Sequence, residues 1–352
     1  MSFVLSALDQ SPVSEGSTGA DALRNSIDLA QHVESLGFER YWIAEHHGTP
    51  MLASAAPEIL IAAVAAATAR IRVGSGGVML PHYSPLKVAE VFSMLAALHP
   101  GRIDLGIGRA PGTDPHTMFA LQRDRRQAAP DDFPEQLAEL LALLEDDLPR
   151  DHPFARLTAL PGGLDRPETW LLGSSPQSAI WAAELGLPYS FADFINPKGA
   201  ELAALYRERF QPSVRRERPR GQVRGKVMIP DLPPGVRREG PSAPWVAVAV
   251  SVICAETDEE AERLASSARM AIALLHAGRL IAVPRVETAL AFFAEHDVPP
   301  TGRRAVVGSP ETVRAGLEEV AGEYGADELM LVTITHDHAM RRRSYELAAA
   351  AF

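Results

Sequence analysis

The sequence predicts a (β/α)8 barrel, and three observations predict it. Short apolar runs alternate with stretches of helical length along all 352 residues, the pattern of parallel strands joined by crossover helices. Several of these runs stop abruptly in polar, glycine-bearing tips, as barrel strands do at the face where chemistry is carried out. No GxGxxG follows the first strand, and Gly106-Ile107-Gly108 lacks a third glycine at the right place, so a dinucleotide-binding doubly wound sheet fits poorly.

The elements follow in order. Phe3 to Leu8 is a first strand ending in Asp9-Gln10. A helix from Asp21 to Leu36 places Leu23, Ile27, Ala30, Val33 and Leu36 on one face, with Gly37 closing it. The second strand, Tyr41-Trp42-Ile43-Ala44, delivers Glu45-His46-His47-Gly48. The helix Pro57–Ala69 is apolar nearly all round, so both sides should be covered, one of them by a second subunit. Strand three, from Ile71, runs into Ser75-Gly76-Gly77. Ser84-Pro85 then starts a helix through Leu98. Strand four is Ile103 to Ile107, ending Gly108-Arg109, with a helix from Asp131 to Glu145 behind it.

Leu148 to Pro167 reads as a linker punctuated by Pro and Gly. Strand five, Thr169 to Leu172, breaks at Gly173-Ser174-Ser175-Pro176 into a helix ending near Gly186. Strand six is Pro188 to Ala192, with a helix through Phe210. Strand seven is the β-branched run Trp245 to Ile253, followed by a capping-box spacing at Thr257 and Glu260. Strand eight is Leu329 to Ile334, with a last helix from Ala339. One domain, 1–352, is expected, with two additions. Residues 211–244 form a basic insertion before strand seven, with seven arginines and one lysine against three acidic residues. This is either a solvated loop or an anion- or partner-binding arm. Residues 276–306, after strand seven, are long enough for a lid on the catalytic side.

Net charge of −11 argues against nucleic acid as a partner. The N-terminus lacks the basic region of a signal peptide, and the longest apolar run is far too short for a bilayer. The single cysteine, Cys254, excludes an internal disulfide. A cytoplasmic enzyme is the expectation.

The strand tips offer the chemistry. Glu45-His46-His47 is too tightly spaced to converge on one metal; alternation sends one imidazole toward the mouth and the other away. Either both are structural, or the one at the mouth does general-base or hydrogen-bonding work near neutral pH. Gly76-Gly77 would let a flat ligand lie against bare backbone, or is an ordinary turn. Arg109 is a candidate anion clamp or a solvated loop side chain. Ser174, Ser175 and Ser178 surround a helix start with no carboxylate in its first turn, which suits a phosphate, though capping alone would also explain them. Gly308-Ser309-Pro310 is a similar start, but Glu311 would compete with an anion. The only lysines, Lys87, Lys198 and Lys226, lie outside the strands, which leaves a Schiff-base lyase without a nucleophile.

The AEHHG tip, the run VGSGGVMLPHYSPLKVAE, GRIDLGIGRAPG, GSSPQSAIWAAELGLP and the closing VGSPETVRAGLEE and GADELMLVT segments, in this order, strongly resemble the bacterial luciferase-like flavin monooxygenases. The resemblance covers essentially the whole chain and is closest to the single-polypeptide oxidoreductases of that family. It implies a barrel that binds FMN, as FMNH2, at its C-terminal mouth, with O2 as co-substrate and a small apolar organic substrate. Electrons would come from NAD(P)H through a separate flavin reductase. It further implies that His46 is the catalytic histidine assisting formation and use of a flavin C4a-peroxide. Gly76-Gly77 would be a cis peptide beneath the isoalloxazine ring, and Arg109, Ser174, Ser175 and Ser178 would hold the phosphate. Where this chain has Ser174 the light-emitting enzymes carry Glu, so the phosphate shell differs. The 276–306 segment overlaps the family's lid, and Pro57–Ala69 its homodimer interface. The 211–244 insertion is longer than the family pattern. The superfamily also contains deazaflavin (F420)-dependent hydride-transfer enzymes and flavin-storing proteins, which stand as the rival readings.

Overall fold

The computed structural model describes residues 3–110, 113–122, 125–126, 132–163, 165–212, 242–299 and 301–352. Most of the basic insertion predicted at 211–244 therefore lies outside the described residues.

The strands and helices alternate. They run β1 (Val4–Asp9), α1 (Gly19–Ser35), β2 (Arg40–Ile43), α2 (Pro57–Ala67), β3 (Arg72–Met79), α3 (Pro85–Leu98) and β4 (Ile103–Gly108), then α4 (Pro115–Leu121) and α5 (Phe133–Leu144). After these come β5 (Glu168–Leu172), α6 (Pro176–Glu184), β6 (Tyr189–Ala192), α7 (Ala200–Arg209), β7 (Val246–Cys254), α8 (Asp258–His276) and α9 (Val286–Glu295). The chain closes with β8 (Ala305–Gly308), α10 (Pro310–Tyr324), β9 (Glu328–Val332) and α11 (His338–Ala350).

All strand pairings are parallel. β1 to β6 pair in succession, β7 pairs with β6, and β9 joins β7 to β1, which closes an eight-stranded barrel surrounded by helices. The (β/α)8 fold class is as the sequence predicts. The strand count differs: β8 adds a ninth strand on the C-terminal half of β7, pairing Ser251 with Ala305 through Cys254 with Gly308. It begins at the end of the segment assigned to a lid and runs past it, and Ala305-Val306-Val307 is too short a run to stand out beside the long β7. The rest of that segment holds the end of α8 and all of α9.

Helix limits follow from caps. α1 starts two residues earlier than predicted because Thr18 and Asp21 form a capping box. α2 stops at Ala67 because the Arg102 guanidinium takes the carbonyls of Ala65 and Thr68. Glu34 accepts the next three amides, Ala69 to Ile71. One side of α2 packs on the barrel, and on the other, the side expected to meet a second subunit, Ile59, Ala63 and Ala66 form an exposed apolar stripe. Among the described residues no helix is long and apolar enough to cross a membrane.

Alternation within each strand fills the lumen in layers. At the N-terminal floor Arg40 bridges Asp104 (3.0 Å), Glu328 (3.2 Å) and Glu168 (3.3 Å), and Arg72 pairs with Asp104 and Glu168. Above it lie Leu8, Trp42, Trp170, Ala247, Ala249 and Met330. The two indoles meet edge to face at 5.0 Å, and the Arg40 guanidinium sits 4.8 Å over the Trp170 ring. The floor is charged, the middle is apolar and sealed, so only the C-terminal mouth is open.

Removing one partner of a buried ionic cluster strands the others without compensation. Arg40→Met is expected to lower unfolding free energy by about 3 to 5 kcal/mol, whereas Arg24→Ala, which removes an exposed pair, leaves the denaturation midpoint unchanged. Equal midpoints for Arg40→Met and the wild type in urea titrations would contradict a structural role for the floor.

Candidate active site

The tips of β2, β3, β4 and β5, neighbours around the barrel, carry the histidine, glycine, arginine and serine residues of the expected site, and Gly308-Ser309-Pro310 stands apart after β8. After Ile43 the chain leaves the ladder. The His46 amide donates to the Ser54 carbonyl (2.9 Å), which turns the tip inward. Glu45 is fully buried. Its carboxylate accepts from His47 Nε2 (2.8 Å), the Tyr83 hydroxyl (3.0 Å) and the Met79 amide (3.0 Å), tying the β2 tip to the end of β3. Burial and the neighbouring Glu45 carboxylate push the Tyr83 phenol above its ordinary value, so it stays a donor.

His46 has no such partner. Its Nδ1 is buried without a hydrogen bond, and burial, then the adjacent His47, pull its pKa from 6.5 to about 4. It is a neutral imidazole with an open nitrogen. Strand alternation predicts that His46 and His47 point to opposite sides. Instead both line one cavity, because residues 44–47 are no longer strand and the period-two rule has lapsed.

The cavity holds about 800 Å3. Its wall runs from Gln10 and the two histidines, past Phe194 and Ser251, to apolar side chains of α8 and α9. Residues 280–281, 298–299 and 301–305 of the predicted lid segment also line it. The start of that segment is stitched to the β1–α1 loop, with Val283 exchanging backbone hydrogen bonds with Val13 and Glu15 (2.8 Å each).

Gly76 and Gly77 are joined by a cis peptide. The β3–β4 register shifts there, Gly76 facing Gly106 and Val78 facing Ile107, so Gly77 is the inserted residue. A Cβ on Gly76 would stand 2.6 Å from Leu8, and one on Gly77 2.7 Å from the Gly106 carbonyl; only glycine fits either place. Arg109 follows β4 directly and is exposed. Ser175 caps α6 and Ser178 is its capping-box partner, donating to the Ser175 carbonyl at 2.7 Å. Ser178 is therefore buried in the cap, and Ser174 and Ser175 are the hydroxyl residues on the surface. Gly76, Gly77, Arg109 and the serines share the mouth's rim with His46 but are not part of the cavity wall. Among the described residues no group of His, Cys, Asp and Glu is placed to hold a metal.

A flavin suits these tips. The bare backbone at Gly76-Gly77 accepts a flat ring, the α6 N-terminus with its serines and no acidic residue suits a phosphate, and His46 lines the cavity beside them. Two features escaped the sequence reading: Arg303 on the cavity wall and the triple acceptor role of Glu45. Gly302-Arg303-Arg304 has no pattern that separates a cavity cation from a surface one.

Residues 1–328 match the family of luciferase-like monooxygenases. The uncharacterized protein YwcH of Bacillus subtilis (strain 168) is 43% identical over 354 residues, covering 99% of this chain and 98% of the relative. The N-acetyl-S-alkylcysteine monooxygenase of the same organism is 37% identical over 351 residues, covering 99% and 97%. The crystal structure of apo-MsnO8 superposes with a TM-score of 0.83 at 41% identity, covering 100% and 98%. Two more distant structures share the fold. One is the oxygenating constituent of 3,6-diketocamphane monooxygenase from Pseudomonas putida in complex with FMN (TM-score 0.69, 20% identity, covering 99% and 97%). The other is an F420-dependent secondary alcohol dehydrogenase (TM-score 0.63, 15% identity, covering 100% of both chains).

The pKa of His46 makes stability pH-dependent. The native imidazole binds a proton less readily than the unfolded one, so unfolding takes up a proton in acid. His46 costs nothing above about pH 6.5, and stability is lost as pH falls toward 4. Between pH 7.5 and 5 the wild type should lose about 2 kcal/mol more than His46→Gln, read from urea midpoints. Parallel losses would show that His46 titrates as in water.

Proposed function

The chain belongs to the luciferase-like monooxygenase family, and from that premise we propose that it uses reduced FMN and O2 to insert one oxygen atom into a small apolar organic molecule. The observation that carries this reading is His46, a neutral imidazole with a buried, unpartnered Nδ1, on the wall of a mainly apolar cavity. A bound reduced flavin supplies the electrons that activate O2. The residues of this chain do the rest. Gly76-Gly77 lets the ring approach the backbone. Arg109, Ser174 and Ser175, with the α6 N-terminus, take the phosphate, and Ser178 holds the cap that presents them. His46 accepts or donates one proton beside the reacting centre, and Glu45 fixes its neighbour His47. The 276–306 segment covers the cavity and acts as the lid, keeping water from the reaction. The relative that acts on N-acetyl-S-alkylcysteines supports oxygenation of a small organic molecule.

Reduced flavin comes from a separate NAD(P)H-dependent reductase in the cytoplasm. The chain works as a homodimer through α2: Ile59 is 71% exposed, and on α3, which packs on α2, Leu98 is 69% and Met94 54% exposed, apolar side chains that a partner would cover.

Two outcomes test the reading. With NADH, FMN, a free-standing flavin reductase and 18O2, a panel of alkyl thioethers should yield a product carrying one labelled atom. His46→Gln should lower its rate by about 100-fold or more while FMN binding is kept. A variant as fast as the wild type would remove His46 from catalysis. Ile59→Glu should sediment as a monomer where the wild type sediments as a dimer; an unchanged sedimentation coefficient would move the interface elsewhere.

A further inference from the structure

We infer that the substrate is an elongated apolar acid, its carboxylate held by Arg303 across the barrel mouth from His46. The inference rests on the reading of the cavity as the substrate site. The charged groups on the cavity wall, among the described residues, are Asp114, Arg269, Arg303 and Arg304. Asp114 caps α4, accepting from the amides of His116 (2.8 Å) and Thr117 (3.1 Å). Arg269 pairs with Glu262. Arg304 pairs with Asp193 (3.1 Å) and Glu323 (2.6 Å). Arg303 alone of these four has neither a hydrogen bond nor an ion pair, although it is half-buried. Burial pulls its guanidinium below the ordinary value, with no acidic neighbour to offset that cost.

A cation that gives up water in an apolar wall is costly unless an anion meets it. The planar fork of arginine matches a carboxylate with two parallel hydrogen bonds. Most of the rest of the wall is apolar, with Met51, Ile253, Ile272, Leu280, Ile281 and Phe293, which suits a hydrocarbon body and not a second charge.

Position sets the length. Arg304, the next residue, donates to Pro197 and pairs with Asp193, so this segment lies against the loop after β6. His46 follows β2. In the ring β1-β2-β3-β4-β5-β6-β7-β9 the two strands stand four places apart in either direction, on opposite sides of the mouth. A ligand anchored at Arg303 must cross the cavity to reach the His46 side.

Calorimetric binding of octanoate and octanamide to the chain, with no flavin present, tests this. The wild type should bind octanoate about 10-fold or more tighter than octanamide. Arg303→Gln should abolish that preference, Arg303→Lys should keep part of it, and FMN affinity should be the same in all three proteins. Equal binding of acid and amide, a preference that survives Arg303→Gln, or no octanoate binding at millimolar concentration would overturn the assignment. A weakened FMN site in Arg303→Gln would overturn it too, by giving the guanidinium to the cofactor. The outcome is independent of turnover: an acid preference without label from 18O2 would spare the anchor and reject the monooxygenase, and the reverse pattern would do the opposite.

Discussion

Closing eight parallel strands forces alternate side chains into a lumen that must be filled, and this chain fills its floor with charge. Arg40 meets three carboxylates there, with Arg72 sharing two of them. Each charge is tolerable only because the others are present. The cluster takes donors from the indole and hydroxyl groups around it: Trp42 to Asp104 at 2.9 Å, Trp245 and Ser6 to Glu328 at 3.0 and 2.5 Å. It thereby sets the orientation of Trp42, which with Trp170 seals the middle of the barrel. With the floor and middle plugged, ligands can enter only at the C-terminal mouth.

That plug decides what the mouth can hold. Gly76 lies over Leu8 and Trp42 so closely that any side chain would strike them, so the β3 tip is bare backbone resting on the indole layer. Glu45 then converts strand geometry into site geometry. By accepting from Met79, Tyr83 and His47 it pins β2 to β3 and occupies the neighbour of His46, which keeps its own nitrogen open. Desolvation, then the adjacent His47, keeps the His46 imidazole neutral well below pH 7.

Much of this was legible in the residues. The strand tips were readable because the apolar run Tyr41 to Ala44 stops so sharply at Glu45, and because Gly76-Gly77 and Ser174-Ser175-Pro176 break otherwise regular elements. What lay hidden depends on tertiary geometry. The joint orientation of His46 and His47 requires knowing that the strand ends at Ile43. The engagement of Ser178 in the α6 cap follows from side-chain rotamers that spacing does not specify. β8 was hidden because four residues carry too weak a periodicity, and its only sign was the Ser309-Pro310 helix start after it. Arg303 could not be told from the other arginines around it, since what sets it apart is the lack of a nearby carboxylate, which only packing determines.

The choice between FMN and the deazaflavin of fold-related enzymes is settled most directly by equilibrium binding, without knowledge of the substrate. Anaerobic titration of the chain with photoreduced FMN, then with reduced F420, followed by absorbance and fluorescence, compares the two at the same site. Reduced FMN should saturate one site per chain, and F420 should fail to displace it. Tight F420 binding that excludes FMN would contradict the oxygenase reading and make the chain a hydride-transfer enzyme on the same barrel.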